Sequence, residues 1–263
     1  MKRMALTGLV AAAFLAAPSL AQSVFDGTWV SDPASIQMSQ KPQVMLLEKG
    51  VYECKTCVPF IKVKADGSDQ NVAGSPYFDS VAITVVDDHT VSEVDKKAGK
   101  TVTTSTTTVS ADGKTASYKF SDSSNTDAAP VTGKGTLVRV KAGPADAHAI
   151  SGAWRDTSKV EFSQNALTVT YSVSGHSLTM TSPTGQSYTA PLDGKDAPYK
   201  GDPGITSVSL KLMGKDMFRE TDKRDGKPIG VFKLKVSADG KSASAIYSDL
   251  LAGRVYKWKA AKQ

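Results

Sequence analysis

The sequence predicts an all-β fold of two tandem antiparallel up-and-down β-barrels. Three observations lead to this prediction: apolar and polar residues alternate, turn-forming pairs separate the alternating segments, and one long segment occurs twice. Alternation with period two indicates strands that have one buried and one solvated face. Asp-Gly and similar pairs supply the positive φ angles of tight hairpins. A meander of many such strands has exposed edges, and closure into a barrel removes them.

The alternation is clearest over residues 167–174, which read LTVTYSVS. The same period occurs over residues 80–85 and again over residues 232–236. Turn pairs such as those at 112–113, 225–226 and 239–240 lie between segments of this kind. Each half of the chain is therefore expected to form eight to ten short strands.

The repeat sets the domain organisation. Residues 109–117 (VSADGKTAS) recur 127 positions later as VSADGKSAS, and the ungapped alignment of residues 74–122 with 201–249 contains 19 identities in 49 positions. A unit this long has the size of a small domain, whereas solenoid repeats span about 20–50 residues. We predict a first barrel over residues 22–145 and a second over 146–263, divided near the Gly- and Pro-containing segment 142–149.

The first 21 residues have the pattern of a secretory signal. Lys2 and Arg3 precede an apolar run over residues 5–17, and small residues end the segment at Ala21. The run is shorter than the roughly 20 residues that span a bilayer. We expect cleavage after Ala21 and a periplasmic or secreted protein, and no later segment is apolar enough for a membrane helix.

The net charge of +6 is spread over the chain. Lysines alternate with apolar or acidic residues, and no arginine cluster with interleaved aromatic residues occurs. A nucleic-acid site requires a basic cluster of this kind, so nucleic acid is not an expected partner.

A Gly-x-Trp motif opens each repeat, at residues 27–29 and 152–154. The motif resembles that of the lipocalins and the wider calycin group, and each whole unit is similar to exported bacterial proteins of unassigned activity. The resemblance implies a barrel whose Trp closes one end against a basic residue of the last strand, and a small apolar ligand. The residues assigned to the closed ends in this way are Gly27, Trp29 and Arg139 in the first repeat and Gly152, Trp154 and Lys257 in the second.

Cys54 and Cys57 are the only cysteines. In an oxidising compartment such a pair normally forms a disulfide, which predicts a stiffened turn. The alternative is a redox pair, which would require the first cysteine at a helix N-terminus. A zinc site would need two further ligands.

Two acidic pairs recur at equivalent positions, Glu93 with Asp95 and Glu220 with Asp222. Each pair precedes a lysine-rich hairpin, which predicts a salt-bridged surface in preference to an acid–base pair. The sequence contains neither Gly-x-Ser-x-Gly nor His-Glu-x-x-His. No catalytic residue, metal ligand or cofactor is therefore predicted, and an enzymatic role is the less favoured interpretation.

One strand differs between the repeats, because Ser105 and Thr107 align with Phe232 and Leu234. The hypothesis is that the first barrel has the more open, polar interior and that the second is mainly structural. The alternative is an edge strand over 101–108, or a register shifted by one residue. The ligand-binding residues under this hypothesis are Thr103, Ser105 and Thr107.

These observations favour a non-catalytic exported protein that carries or senses a small, apolar ligand. One alternative is an interaction module that binds an envelope protein, as an assembly factor or inhibitor. Another is a redox protein that uses Cys54 and Cys57. The sequence names neither the ligand nor the partner.

Overall fold

A computed structural model describes residues 23–124 and 128–263, so the predicted signal segment 1–21 lies outside the described residues. Strands make up 60% of the structure and helices only 3%, which confirms the all-β prediction. The strands of the first half are β1 (Gly27–Ser31), β2 (Gln43–Glu48), β3 (Val51–Cys54), β4 (Ile61–Lys64), β5 (Gln70–Asn71), β6 (Ser80–Val85), β7 (Thr90–Lys97), β8 (Lys100–Val109), β9 (Thr115–Asp122) and β10 (Val131–Ala142).

The second half continues the meander. Its strands are β11 (Gly152–Phe162), β12 (Thr168–Ser174), β13 (Ser177–Thr181), β14 (Ser187–Pro191), β15 (Asp193–Pro198), β16 (Ser207–Leu212), β17 (Met217–Arg224), β18 (Lys227–Val236), β19 (Ser242–Asp249) and β20 (Arg254–Lys262). A 3-10 turn (Pro33–Ser35) follows β1, and the short helix α1 (Gln164–Leu167) follows β11. No helix in the described ranges has the length and apolar character that crossing a membrane requires.

The strands form two ten-stranded antiparallel sheets, each nearly closed. The sheet called here the first barrel has the order β4-β3-β2-β11-β10-β9-β8-β7-β6-β5, and the second barrel has the order β14-β13-β12-β1-β20-β19-β18-β17-β16-β15. A bridge between Asp66 and Thr84 links β4 to β6 across the gap in the first barrel. Ser187 and Lys200 close the second with backbone hydrogen bonds of 3.0 and 2.9 Å.

The two barrels exchange their first strands. β1 lies between β12 and β20 of the second barrel, with Gly27 opposite Tyr171. β11 lies between β10 and β2 of the first barrel, with Gly152 opposite Met45. The predicted division near residue 145 is therefore not the division between the sheets. The chain passes between the barrels at residues 32–42 and 163–167, and segment 142–149 connects two strands of the same barrel.

A close contact joins the two ends of the β10–β11 connection, residues 143–151. Gly143 lies so close to Ser151 that a Cβ atom on Gly143 would be 2.6 Å from the Ser151 Cβ. β11 pairs with β10 in an antiparallel register that places Ala142 opposite Gly152. β1 occupies the position between β12 and β20.

Each barrel has its own hydrophobic core, and the exchanged strands contribute to the core of the other half. Trp29 packs among residues 171–260, and Trp154 packs among residues 45–150. The predicted alternation holds on β16, where Val208 and Leu210 are fully buried. In the second core the Phe218 ring contacts Phe25 edge-on, with ring centroids 5.2 Å apart.

Candidate ligand-binding site

The two repeated Trp side chains are fully buried and equivalent. The Trp29 indole N–H donates to the Phe25 carbonyl at 2.9 Å, and the Trp154 indole N–H donates to the Ile150 carbonyl at 2.7 Å. Because β1 and β11 are exchanged, Trp29 belongs to the second barrel and Trp154 to the first.

The exchange also changes the basic partner of each Trp. The Arg139 guanidinium carbon lies 4.0 Å from the centroid of the Trp154 ring, so its assignment to Trp29 is wrong. Arg139 also donates to the carbonyl oxygens of Ser151 at 2.5 Å, Ala149 at 2.6 Å and Gly113. One side chain therefore joins two loops next to Trp154, the β8–β9 turn at Gly113 and the β10–β11 connection at Ala149 and Ser151.

The partner of Trp29 is Lys262, not the predicted Lys257. The Lys262 ammonium lies 4.9 Å from the centroid of the Trp29 ring and donates to the Val24 carbonyl at 3.0 Å. Lys257 is exposed on the outer face of β20. The sequence alignment failed here because the loop before the last strand is shorter in the second half, and the register of β19 with β20 shows Lys262 to be equivalent to Arg139.

Glycine is required at the start of each exchanged strand. Gly152 has a φ of 139°, and a Cβ atom there would lie 2.5 Å from the Lys141 carbonyl oxygen. Gly27 has a φ of 118° at the equivalent position. These φ values are rarely adopted by other residues. The Gly-x-Trp motif thus combines a backbone requirement with a core side chain.

The interior of the first barrel contains a cavity of about 280 Å³. Ser105 and Thr107 line this cavity, whereas Thr103 is not among its lining residues. Tyr118 is paired with Thr107 on the adjacent strand, and its hydroxyl donates to Asp156 Oδ1 at 2.8 Å. The remaining lining residues are Gln43, Met45, Tyr52, Val91, Glu93, Phe120, Leu137 and Ile150.

Glu93 and Asp95 lie inside the first barrel, so their predicted place on a salt-bridged surface is wrong. Burial, followed by the nearby charge of Asp95, raises the pKa of Glu93 to about 8. Burial likewise raises the pKa of Asp95 to about 6. The hairpin's ion pair is formed by the next residue, Lys96, whose ammonium lies 2.6 Å from Asp69 Oδ2.

The second barrel also has a cavity, of about 330 Å³, so an open interior is not confined to the first barrel. Aromatic side chains supply much of its wall, and the rings of Phe232 and Trp258 stack with centroids 5.8 Å apart. The aromatic lining residues are Trp29, Tyr171, Tyr199, Phe232, Tyr247 and Trp258.

Glu220 and Asp222 are the polar centre of this second cavity, with 7% and 4% of their surface exposed. The Tyr188 hydroxyl donates to Glu220 Oε2 at 2.5 Å. Burial, followed by the Asp222 charge, raises the pKa of Glu220 well above its ordinary value, and burial raises the pKa of Asp222. Asp222 Oδ1 is buried and has no hydrogen-bond partner in the structure.

The carboxyl groups of the two repeated Glu/Asp pairs form no ion pair within the described part of the chain. None of the ion pairs found there includes Glu93, Asp95, Glu220 or Asp222. Nor do residues 23–124 and 128–263 hold a group of three or more side chains that could bind a metal ion. A carboxyl group that is buried without a counter-charge holds its proton more strongly.

The sequence contained a signal for this placement. On β17 the residues Phe218, Glu220 and Asp222 alternate with Arg219, Thr221 and Lys223. A strand that puts Phe218 in the core must also direct the two carboxyl groups inward. The adjacent lysines suggested a surface ion pair, but lysine and carboxylate lie on opposite faces of the strand.

An apolar cleft of about 280 Å³ adjoins the second cavity. It shares Leu167 of α1, Trp258 of β20, Ser31 and Ala166 with the cavity wall. Its other lining residues are Ile36, Met38, Val131, Phe162 and Tyr256. The cleft therefore lies beside the segments by which the chain passes between the barrels.

Cys54 and Cys57 form the predicted disulfide, with an S–S distance of 1.99 Å. Cys54 is buried at the end of β3. It does not begin a helix, so the local structure lacks the helix dipole that lowers the pKa of a redox-active thiol.

Comparisons of the sequence with protein-family models and with curated proteins found no match.

Proposed function

We propose that this chain is a non-catalytic binding protein that holds a small, largely apolar ligand inside the second barrel. The observation that carries the proposal is the cavity of about 330 Å³ with its aromatic wall and two carboxyl groups. Small-molecule sites typically combine an apolar lining with few polar groups at defined positions. The adjoining apolar cleft supports the same site, because it provides a continuous apolar surface beside the cavity.

The proposal includes export and a calycin-like barrel fold. The signal-like segment 1–21 and the repeated Gly-x-Trp motif support these two points. The Cys54–Cys57 disulfide is compatible with an oxidising compartment such as the periplasm. A carrier or a sensor would use the same cavity.

A cavity-filling variant with a matched control tests the binding site. Ala260 lines the second cavity, and the residue in the equivalent register of the first barrel is Leu137. The Ala260→Leu variant therefore introduces a side chain that the first barrel accommodates at the same place. The Leu137→Ala variant enlarges the first cavity and leaves the second unchanged.

The probe is prodan, an uncharged naphthalene dye, whose binding is followed by energy transfer from tryptophan. Trp29 and Trp258 line the second cavity. The wild type is expected to bind prodan, Ala260→Leu to bind it about tenfold or more weakly, and Leu137→Ala to bind it as the wild type does. Equal binding by wild type and Ala260→Leu, or no binding by the wild type, would count against this function and favour the interaction module.

A further inference from the structure

We propose that the second-barrel cavity binds a ligand with an aromatic or apolar body and one protonated amino group, which Glu220 and Asp222 hold. This inference rests on the proposed function and specifies its ligand class. It commits to the second barrel, because Asp222 lines that cavity whereas the equivalent Asp95 is not among the residues lining the first.

The first step of the argument is the charge in the cavity. Glu220 and Asp222 project from one face of β17, and the ionisable groups that surround them are either acidic or phenolic. Five ionisable groups on neighbouring elements interact electrostatically with Glu220 or Asp222. They are Tyr171, Tyr188, Tyr199, Asp202 and Tyr247. Since no lysine, arginine or histidine of the described residues pairs with them, the site favours a cation and disfavours an anion.

The second step is the unfilled hydrogen-bonding capacity. Asp222 is 4% exposed, and its Oδ1 accepts no hydrogen bond in the structure. Buried acceptors without a donor are uncommon, because each such group costs about 1–3 kcal/mol. A ligand ammonium carries three N–H donors and could serve both carboxyl groups.

The third step is the aromatic wall. Phe232 and Trp258 stack beside the carboxyl pair, and Trp29 and Tyr171 line the same space. Aromatic faces attract cations through their quadrupole, and they also pack against a flat apolar ligand. The first barrel has Ser105 where the second has Phe232, so the two interiors differ in this feature.

Binding of an ammonium is expected to release a proton. The free pair holds its protons more strongly than exposed carboxyl groups do, because burial raises the pKa of both Glu220 and Asp222. A bound ammonium stabilises the ionised form of the carboxyl groups, so the pair loses up to about one proton to solvent per amine bound. No covalent bond forms or breaks in this exchange.

The test uses three indoles that share one ring system and differ in charge: tryptamine, the neutral tryptophol and the anion indoleacetate. Isothermal titration of the full chain near neutral pH measures each affinity. Tryptamine is expected to bind about 10- to 100-fold more tightly than tryptophol, and indoleacetate more weakly still. Titration in two buffers of different ionisation enthalpy is expected to show proton release with tryptamine alone.

Variants locate the site. Glu220→Gln/Asp222→Asn is expected to remove the preference for tryptamine over tryptophol, whereas the matched Glu93→Gln/Asp95→Asn variant in the first barrel keeps it. The comparison of the three indoles uses the wild-type chain alone, so it remains a valid test if a variant fails to fold. If tryptophol equals tryptamine, or if the first-barrel variant alone removes binding, the ligand class proposed here is wrong.

The two proposals fail separately. Prodan binding that Ala260→Leu abolishes, together with no preference for the amine, would leave the cavity site standing and remove the amine. Absence of binding by prodan and by all three indoles would remove both.

Discussion

Each barrel contains a repeated Glu/Asp pair of a kind that a globular interior normally excludes. A buried carboxylate without a counter-charge is unfavourable, so the group keeps a proton or meets a cation. Glu93 and Asp95 show most clearly that burial disfavours the ionised form, because the pKa of Glu93 is raised to about 8 and that of Asp95 to about 6. The same positions carry the same residues in the second barrel.

The first barrel is expected to lose stability as the pH rises. The pKa of Glu93 in the folded chain lies above its ordinary value of 4.5, so the folded chain holds a proton that the unfolded chain releases. The stabilisation is fully present below the ordinary pKa and is lost as the pH rises through about 8. The melting temperature, measured by circular dichroism across this range, should fall toward alkaline pH.

The Glu93→Gln variant carries a neutral side chain of similar shape and should show a flatter decline. Glu53→Gln is the control, because Glu53 is a surface carboxylate 3.0 Å from the Lys62 ammonium, and its pKa is lowered by that hydrogen bond. An alkaline decline that is the same in Glu93→Gln as in the wild type would show that Glu93 is not buried as described.

At the scale of elements, the exchange of β1 and β11 is the feature that the sequence could not predict. The two strands begin with Gly-Thr-Trp and Gly-Ala-Trp, and either barrel could accept either strand. The exchange is visible only in the strand pairing, where β11 lies beside β10 and Gly143 contacts Ser151. The residues of β1 and β11 themselves do not indicate which barrel each strand joins.

Paired cysteines would report the exchange directly. Thr28 and Thr170 are opposite one another on β1 and β12, and their hydroxyl oxygens are 2.9 Å apart. A Thr28→Cys/Thr170→Cys variant is expected to form a second disulfide almost completely, as shown by peptide mapping without reduction.

The control uses the pairing that an unexchanged first barrel would have. Val44 lies opposite Ala153, which is the residue equivalent to Thr28. Thr28→Cys/Val44→Cys should therefore remain reduced at both introduced positions. A disulfide in this control, and none in the first variant, would mean that each half keeps its own first strand.

At the scale of the whole molecule, the repeat produces two barrels of similar construction that are not independent. Besides the exchanged strands, the Tyr77 hydroxyl of the first half donates to Asp202 Oδ1 of the second at 3.0 Å. The second cavity is lined by Trp29 and Ser31 of β1, so the candidate site contains residues from both halves of the chain. A site of this kind requires the intact chain.

The fold class and the repeat were predictable because they depend on period-two alternation and on self-similarity, both of which are local or one-dimensional properties. The site was predictable only in part. Ser105 and Thr107 line a cavity as predicted, but the second cavity was missed because Phe232 and Leu234 suggested a filled interior. Cavity volume depends on how side chains from many strands meet, which a single strand does not show.

The proposed function requires that the second barrel retains a ligand. Native mass spectrometry of the chain recovered from its own cells tests it most directly, with Ala260→Leu prepared in parallel. The wild type is expected to carry an additional mass that survives gentle ionisation and leaves on denaturation, and Ala260→Leu is expected to lack it. The bare mass of the chain in both preparations, before and after incubation with an extract of those cells, would contradict the proposed function.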